Sequence, residues 1–312
     1  MTEGSREQED RELEDLATEL RVGDVIAALA EPGSLSPPEG VRSSLFERVQ
    51  GSPRPRGERV DAATLYANRV AALGSLLPAL APDDWSRPVA PYSWSVHGLI
   101  AHLLVIERYT ARQFGIVGTP PARPDDSDDH LTMGLGEIAA ELDGNPFDTM
   151  KRWFEAADRL AQYVHSERYD PSASASLHGW PFSQSAALVA RAFELWTHWE
   201  DIRRAVKLPL ETIAPNELRT MSSLSVASLP FVLPIACPTV SMRPTRVVLT
   251  GPGGGTFDIG GTGPRVATVV VDVVDYCRSV ARRIDTDQLG ATIEGDAQLV
   301  SCLLDGSRAF AV

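Results

Sequence analysis

A chain of 312 residues, 43% of them hydrophobic, is long enough to bury the cores of two ordinary domains. Its formal net charge of −13 argues against a surface built to collect phosphates, so nucleic acid is not an expected partner. The three cysteines, Cys237, Cys277 and Cys302, are odd in number, widely spaced and set in apolar sequence; they are expected to be separate buried thiols of a reducing cytosol rather than a disulfide framework or a zinc knuckle.

In chain order, the start Met1-Thr-Glu-Gly-Ser-Arg-Glu7 lacks the basic-then-apolar order of a secretory signal, and a cytoplasmic location is expected. Residues 1–20 hold eight acids against Arg6 and Arg11, and the Pro/Gly/Ser runs 31–40 and 51–57 follow. Together these predict an acidic N-terminal extension and linker over residues 1–58.

Residues 59–212 read as a four-helix bundle with long connections. Leu65, Val70, Leu73, Leu76, Leu77 and Leu80 give the first helix, stopped by Pro78 and Pro82. A second helix runs from about Ser95 to Phe114, with Gly115 and Gly118 as stop signals. After a Pro- and Asp-rich loop, Thr119 to Met133, the third helix repeats Phe147, Met150, Phe154, Ala157, Leu160 and Val164. The fourth follows Pro181-Phe182-Ser183 with the packing row Leu188, Ala192, Leu195, Trp199, Ile202 and Val206.

Residues 213–312 read as a smaller α+β domain. A helix is expected from Glu217 to about Leu229, a hairpin from Arg246–Thr250 and Thr256–Ile259, a strand at Val266–Val273, a helix at Val274–Ile284, a short strand at Ala291–Glu294 and a last helix at Ala297–Leu304. The apolar run from Leu224 to Val240 is broken by Pro230, Pro234 and Pro238. It falls short of the roughly 20 residues of a membrane span, and no membrane partner is expected.

The chemistry concentrates in the second and fourth helices. Glu194, His198 and Asp201 stand at helical spacings of four and three and so share one face. His102 interrupts the apolar row Leu99, Ile106, Tyr109, whereas His97 points about 140° away. Alone, His102 reads as a satisfied core histidine; with a Glu/His pair on a facing helix it reads as a metal ligand. Two imidazoles and a carboxylate suit zinc and leave a fourth position for water or a thiolate. Asp201 either orients a ligand or pairs with Arg203 or Arg204. Glu107 and Glu200 read as solvated faces.

Other clusters carry less. Asp125-Asp-Ser-Asp-Asp-His130 lacks the glycine and terminal glutamate of an EF-hand loop, and Gly251-Pro-Gly-Gly-Gly255 sits in a hairpin signal rather than a strand-to-helix turn, so it reads as a turn. His178 reads as a loop histidine. No nucleophile elbow and no cysteine in an electropositive setting supports covalent catalysis by the protein.

Trp94-Ser-Val-His-Gly-Leu-Ile-Ala-His102-Leu103 and Phe193-Glu-Leu-Trp-Thr-His-Trp-Glu-Asp-Ile202 resemble the ligand segments of the mycothiol-dependent maleylpyruvate isomerases, a branch of the DinB-like metal-binding four-helix bundles. Val247–Gly255 and Ile293-Glu-Gly-Asp296 are similar to that family's sterol-carrier-like C-terminal module. The resemblance covers about residues 60–312. It implies His102, Glu194 and His198 as zinc ligands, mycothiol as thiol cosubstrate, a small electrophilic substrate, and Arg282, or else Arg283, as a contact for anionic groups. Two departures stand out: Ala90-Pro-Tyr-Ser93 replaces a frequent Pro-Cys-x-Gly, and His97 replaces a more usual polar or charged residue. Residues 29–42 instead resemble a segment that follows the zinc finger of some anti-sigma factors. This implies a second reading, a regulator that docks a protein partner through the N-terminal extension; no Cys or His precedes His97 to build such a finger.

Overall fold

The computed structural model describes residues 59–119, 134–177 and 180–310. The N-terminal extension over 1–58, most of the Pro/Asp loop with its Asp125–His130 cluster, and His178 lie outside these residues. Two compact units divide the chain. Among the described residues, one unit spans 62–177 and 187–212; the other gathers 213–310 with 180–186 and 59–61.

The first unit is the four-helix bundle. Helix α1 (Ala62–Leu76) passes into a 3-10 turn at Leu77–Ala79 that contains Pro78. A second 3-10 turn, Pro82–Ser86, drives Trp85 into the core. Helix α2 (Val96–Gln113) starts at Ser95, whose hydroxyl accepts a hydrogen bond from the Gly98 N–H at 3.2 Å. Its row Leu99, His102, Ile106 and Tyr109 is buried, as the spacing requires. A short helix α3 (Leu135–Leu142), not foreseen from the sequence, precedes α4 (Pro146–Val164). Two short strands, β1 (Ser174–Leu177) and β2 (Trp180–Ser183), lead to α5 (Gln184–Ala205).

Helix α4 corrects the expected stripe. Its buried row is Thr149, Trp153, Ala157, Leu160 and Val164, while Phe147 is 43% exposed and Phe154 half-buried. The larger indole takes the core position, which turns the N-terminal half of the helix by one residue. The Phe154 ring is instead accommodated against Gly74, where a Cβ would lie 2.6 Å from it. On α5 the expected row is buried at Leu188, Ala192, Leu195, Trp199 and Ile202, while its last member, Val206, falls just past the helix and is half-buried.

In the second unit, α6 (Pro215–Ala236) is followed by a four-stranded sheet of order β4-β3-β5-β6. Strands β3 (Thr245–Thr250) and β4 (Gly255–Ile259) form the expected antiparallel hairpin, β5 (Ala267–Asp272) runs parallel to β3, and β6 (Thr292–Gly295) pairs antiparallel with β5. Val247, Leu249, Phe257, Ile259, Val269 and Val271 alternate onto the covered face. Helices α7 (Val273–Val280) and α8 (Ala297–Ser307) pack on β5, and both also pack against α6.

Three expectations change here. Helix α6 runs on through Pro230 and Pro234 and, at 22 residues, is long and apolar enough to cross a membrane by length and composition alone. In the fold, 83% of its most apolar stretch is buried inside the protein, which is where that apolarity is used. Secondly, Cys237 and Cys302 form a disulfide across 65 residues. The packing of α6 on α8 brings their Cα atoms to 5.9 Å, within bridging range, a proximity that spacing in the chain cannot reveal. Buried Cys277 stays outside the bridge. Thirdly, α7 ends at Val280 rather than at Ile284.

The two glycine motifs have structural roles. A Cβ on Gly255 would fall onto the guanidinium of Arg219, a buried arginine of α6 that donates to the Gly254 carbonyl. Gly295 has φ 83°, and a Cβ there would lie 2.1 Å from the Val266 carbonyl oxygen. The adjacent Asp296 caps α8, accepting from Leu299 N–H at 2.9 Å. That bond, reinforced by Arg243, holds its carboxyl below the usual range. Gly295→Ala is expected to destabilise the protein by more than about 1 kcal/mol in urea denaturation, since alanine resists positive φ. Thiol titration of the unfolded, unreduced chain is expected to give one equivalent, from Cys277, and three after reduction. Three equivalents before reduction would contradict the bridge.

Candidate metal centre

The spacing on α5 turns Glu194, His198 and Asp201 toward α2, and His102 meets them from that helix. His102 Nε2 lies 3.1 Å from Glu194 Oε1, and His198 Nε2 lies 3.8 Å from the same oxygen. One ligand atom from each of the three residues falls within 4.8 Å of the others, and all three residues are at most 1% exposed. Asp201 Oδ2 is 3.2 Å from His198 Nδ1. A carboxylate only accepts, so Nδ1–H donates to it and the lone pair on Nε2 is directed toward Glu194 Oε1. The Asp201 alternatives are both realised, because its Oδ1 also faces Arg204 Nη1 at 3.5 Å.

The donor set fits a divalent cation. Burial, with Arg191 adding to it, pushes the His102 pKa down to about 3, which keeps the ring neutral and able to ligate. Glu194 does not lack a counter-charge altogether. Its Oε2 is held by Arg191 Nη1, and Arg191 Nη2 reaches Glu107 Oε1 at 2.8 Å. Two buried carboxylates thus share one guanidinium, a formal deficit of one positive charge beside the two imidazole faces. Buried charge of this kind is costly without a counter-ion, and an ion among the three donor atoms would supply it.

Glu107 and Glu200 are therefore not solvated faces. Glu107 is fully buried between Arg191 and the Tyr66 hydroxyl, which donates to Glu107 Oε2 at 2.9 Å. Glu200 is 3% exposed and accepts from Arg204 Nη2 at 2.6 Å. Reasoning from the sequence missed Arg191, Glu107 and Tyr66. The available signal was the spacing of three between Arg191 and Glu194, the start of an ion-pair ladder on the metal face.

An aromatic wall stands beside the imidazoles. The segment Pro88–Ser95 is pinched by a bridge between its ends and by Val89 N–H donating to Trp94 O at 2.9 Å, and it contains a cis Ala90–Pro91 bond. It stacks Trp94 on His102 at 4.8 Å between ring centroids and Tyr92 on Trp94 at 5.0 Å, with Tyr92 5.7 Å from the His198 ring. The departure Ala90-Pro-Tyr-Ser93 thus places a tyrosine against His198.

Residues 66–203 match the family model for the mycothiol maleylpyruvate isomerase N-terminal domain. The matched stretch spans the bundle from α1 to α5. Among solved structures, the chain is similar to a mycothiol-dependent maleylpyruvate isomerase at TM-score 0.52 and 16% identity, covering 76% of this chain and 93% of that one, a likeness in fold. A histidine-to-alanine mutant of a mycothiol-dependent maleylpyruvate isomerase matches at TM-score 0.49 and 15% identity, covering 74% of this chain and 91% of that one. No curated protein matches significantly.

Within the bundle His97 is not part of the centre. Its Nε2 lies 3.0 Å from Thr149 Oγ1, whose hydroxyl donates to Glu141 Oε2 at 3.0 Å, so Nε2–H is the donor to Thr149. Arg282 belongs to the other unit. It follows α7 with φ 58°, is exposed, and donates to the Arg308 carbonyl at 3.2 Å. Gly251–Gly255 is the β3–β4 turn and binds back on Arg219 rather than cradling an anion.

Burial lowers the His97 pKa below 6.5, with Glu141 opposing and Arg152 adding to the shift. The unfolded chain takes up this proton near pH 6.5 and the folded chain only at lower pH. Stability from this group is thus full above pH 6.5 and declines as the pH falls below it. In histidine NMR the His97 ring is expected to titrate below 6.5, and His97→Gln to make the acid-side loss of stability shallower; titration at or above 6.5 contradicts the assignment.

Proposed function

We propose that this protein is a mycothiol-dependent enzyme that transfers the thiol to, or isomerises, a small electrophilic substrate at a divalent metal, zinc by preference. The observation that carries the reading is the convergence of His102 Nε2, His198 Nε2 and Glu194 Oε1 in a buried setting inside a domain matched to this isomerase family. Two imidazoles and one carboxylate would hold the ion and leave a coordination position for a thiol. When bound, the metal lowers the pKa of a coordinated thiol so that it is a thiolate near neutral pH.

The chain's own residues prepare the centre. Burial keeps His102 neutral, and Asp201 fixes the His198 tautomer that offers Nε2. Trp94 and Tyr92 cover one side of the imidazoles with aromatic surface, which limits water there. For isomerisation of a cis alkene, the thiolate sulfur adds to one alkene carbon, the resulting single bond rotates, and expulsion of the same thiolate restores the double bond. The thiol is regenerated, and no oxidant or reductant is needed. Arg282 is proposed to bind anionic groups of thiol or substrate, on the strength of its position after the helix that precedes the Glu-Gly-Asp stretch.

The test is metal content and activity together. Purified, metal-replete protein is expected to carry one zinc per chain, and His102→Ala to lose it. Maleylpyruvate with mycothiol is the first substrate pair to assay, and thiol omission is expected to abolish turnover. Arg282→Ala is expected to raise KM about 10-fold or more, since a charge-assisted hydrogen bond is worth about 1.5–3 kcal/mol. Wild type without stoichiometric metal sinks the reading.

A further inference from the structure

We propose that Arg191 is a positioning residue that restricts Glu194 to single-oxygen ligation, and that Glu107 and Tyr66 hold Arg191 in that task. The inference rests on the metal reading above and concerns how many positions at the ion remain open to a thiol.

The geometry divides the two oxygens of Glu194. Oε1 is the atom both imidazoles face, at 3.1 and 3.8 Å. Oε2 is occupied by Arg191 Nη1. A carboxylate that is free to rotate can offer an ion both oxygens and take up an extra position. With Oε2 held by a guanidinium, it offers one.

The guanidinium is itself fixed. Its other terminal nitrogen donates to Glu107 Oε1 at 2.8 Å, and Glu107 Oε2 accepts from Tyr66 Oη at 2.9 Å. Glu107 and Tyr66 are fully buried and Arg191 is 1% exposed, so water does not compete for these bonds. Burial, reinforced by Glu107, raises the Tyr66 pKa well above its ordinary value, which keeps the phenol a proton donor. The chain Tyr66–Glu107–Arg191–Glu194 links α1, α2 and α5, and the fork geometry of arginine is what lets one side chain hold two carboxylates at once.

The experiment is cobalt(II) substitution of the full chain, read by visible absorption and by titration with a small thiol, 2-mercaptoethanol. Wild type is expected to give the intense visible bands of a low-coordinate ion and a thiolate-to-cobalt charge-transfer band as thiol is added. Glu107→Gln combined with Arg191→Gln removes both charges together, so that Glu107 is not left as a buried carboxylate without its guanidinium. It is expected to weaken the visible bands, as the freed Glu194 takes a second position, and to require about 10-fold more thiol for half-maximal charge transfer, the lower end for groups that orient metal ligands. Tyr66→Phe deletes only a hydroxyl and keeps both charges. It is expected to move both readouts the same way by about threefold, the size of one lost hydrogen bond. Circular dichroism establishes which variants fold, and Tyr66→Phe carries the test if the double variant does not.

Unchanged bands and an unchanged thiol titration in every folded variant overturn the role of Arg191 while leaving the metal reading intact. A wild type that takes up no cobalt overturns the metal reading itself, and this inference with it.

Discussion

The shared carboxylate of Glu194 is the interaction on which the candidate centre depends. One of its oxygens faces two imidazoles and the other is bound by Arg191, all out of contact with water. Burying a carboxylate is unfavourable by several kcal/mol in real proteins unless partners surround it. That cost sets what the bundle must supply. Helix α2 has to bring both His102 and Glu107 to α5, five residues apart on one helix, and α1 has to bring Tyr66 to Glu107. Both α2 and α5 also carry buried apolar rows, which seat them in the bundle core.

The same arrangement explains why so much polar surface is tolerated in the interior. Tyr66, Glu107, Arg191, Glu194, His198, Asp201, Arg204 and Glu200 form one connected series from the bundle core to its surface. Each member satisfies a neighbour, which is the condition under which buried polar networks favour a single arrangement. Carboxylates outnumber guanidiniums along this series, and that sign invites a cation rather than an anionic ligand.

The bundle and the convergence of His102, Glu194 and His198 were legible in the sequence because they follow helical arithmetic. His102 stood out by interrupting an apolar row, and Glu194 and His198 by their spacing of four. Glu107 and Glu200 were misread for the opposite reason: an acidic residue on a helix looks solvated until the arginine it pairs with, across helices for Glu107 and one turn on for Glu200, is known. Residues separated far along the chain were similarly opaque. Nothing in the spacing of Cys237 and Cys302 announces that α6 and α8 pack side by side. Prolines 230 and 234 were read as breaks in α6, yet tertiary packing carries the helix through both. On α4 the room that Gly74 leaves for the Phe154 ring comes from another helix, a contact that the spacing within α4 does not announce.

The central claim is that His102, Glu194 and His198 form one metal centre with a position open to a thiol. X-ray absorption on zinc-loaded protein addresses it most directly, with and without added mycothiol. The account predicts imidazole scattering from two histidines with only light-atom ligands in the free enzyme, and one sulfur neighbour once the thiol is added. A spectrum lacking histidine scattering, or one in which the thiol brings no sulfur to the zinc, would contradict it.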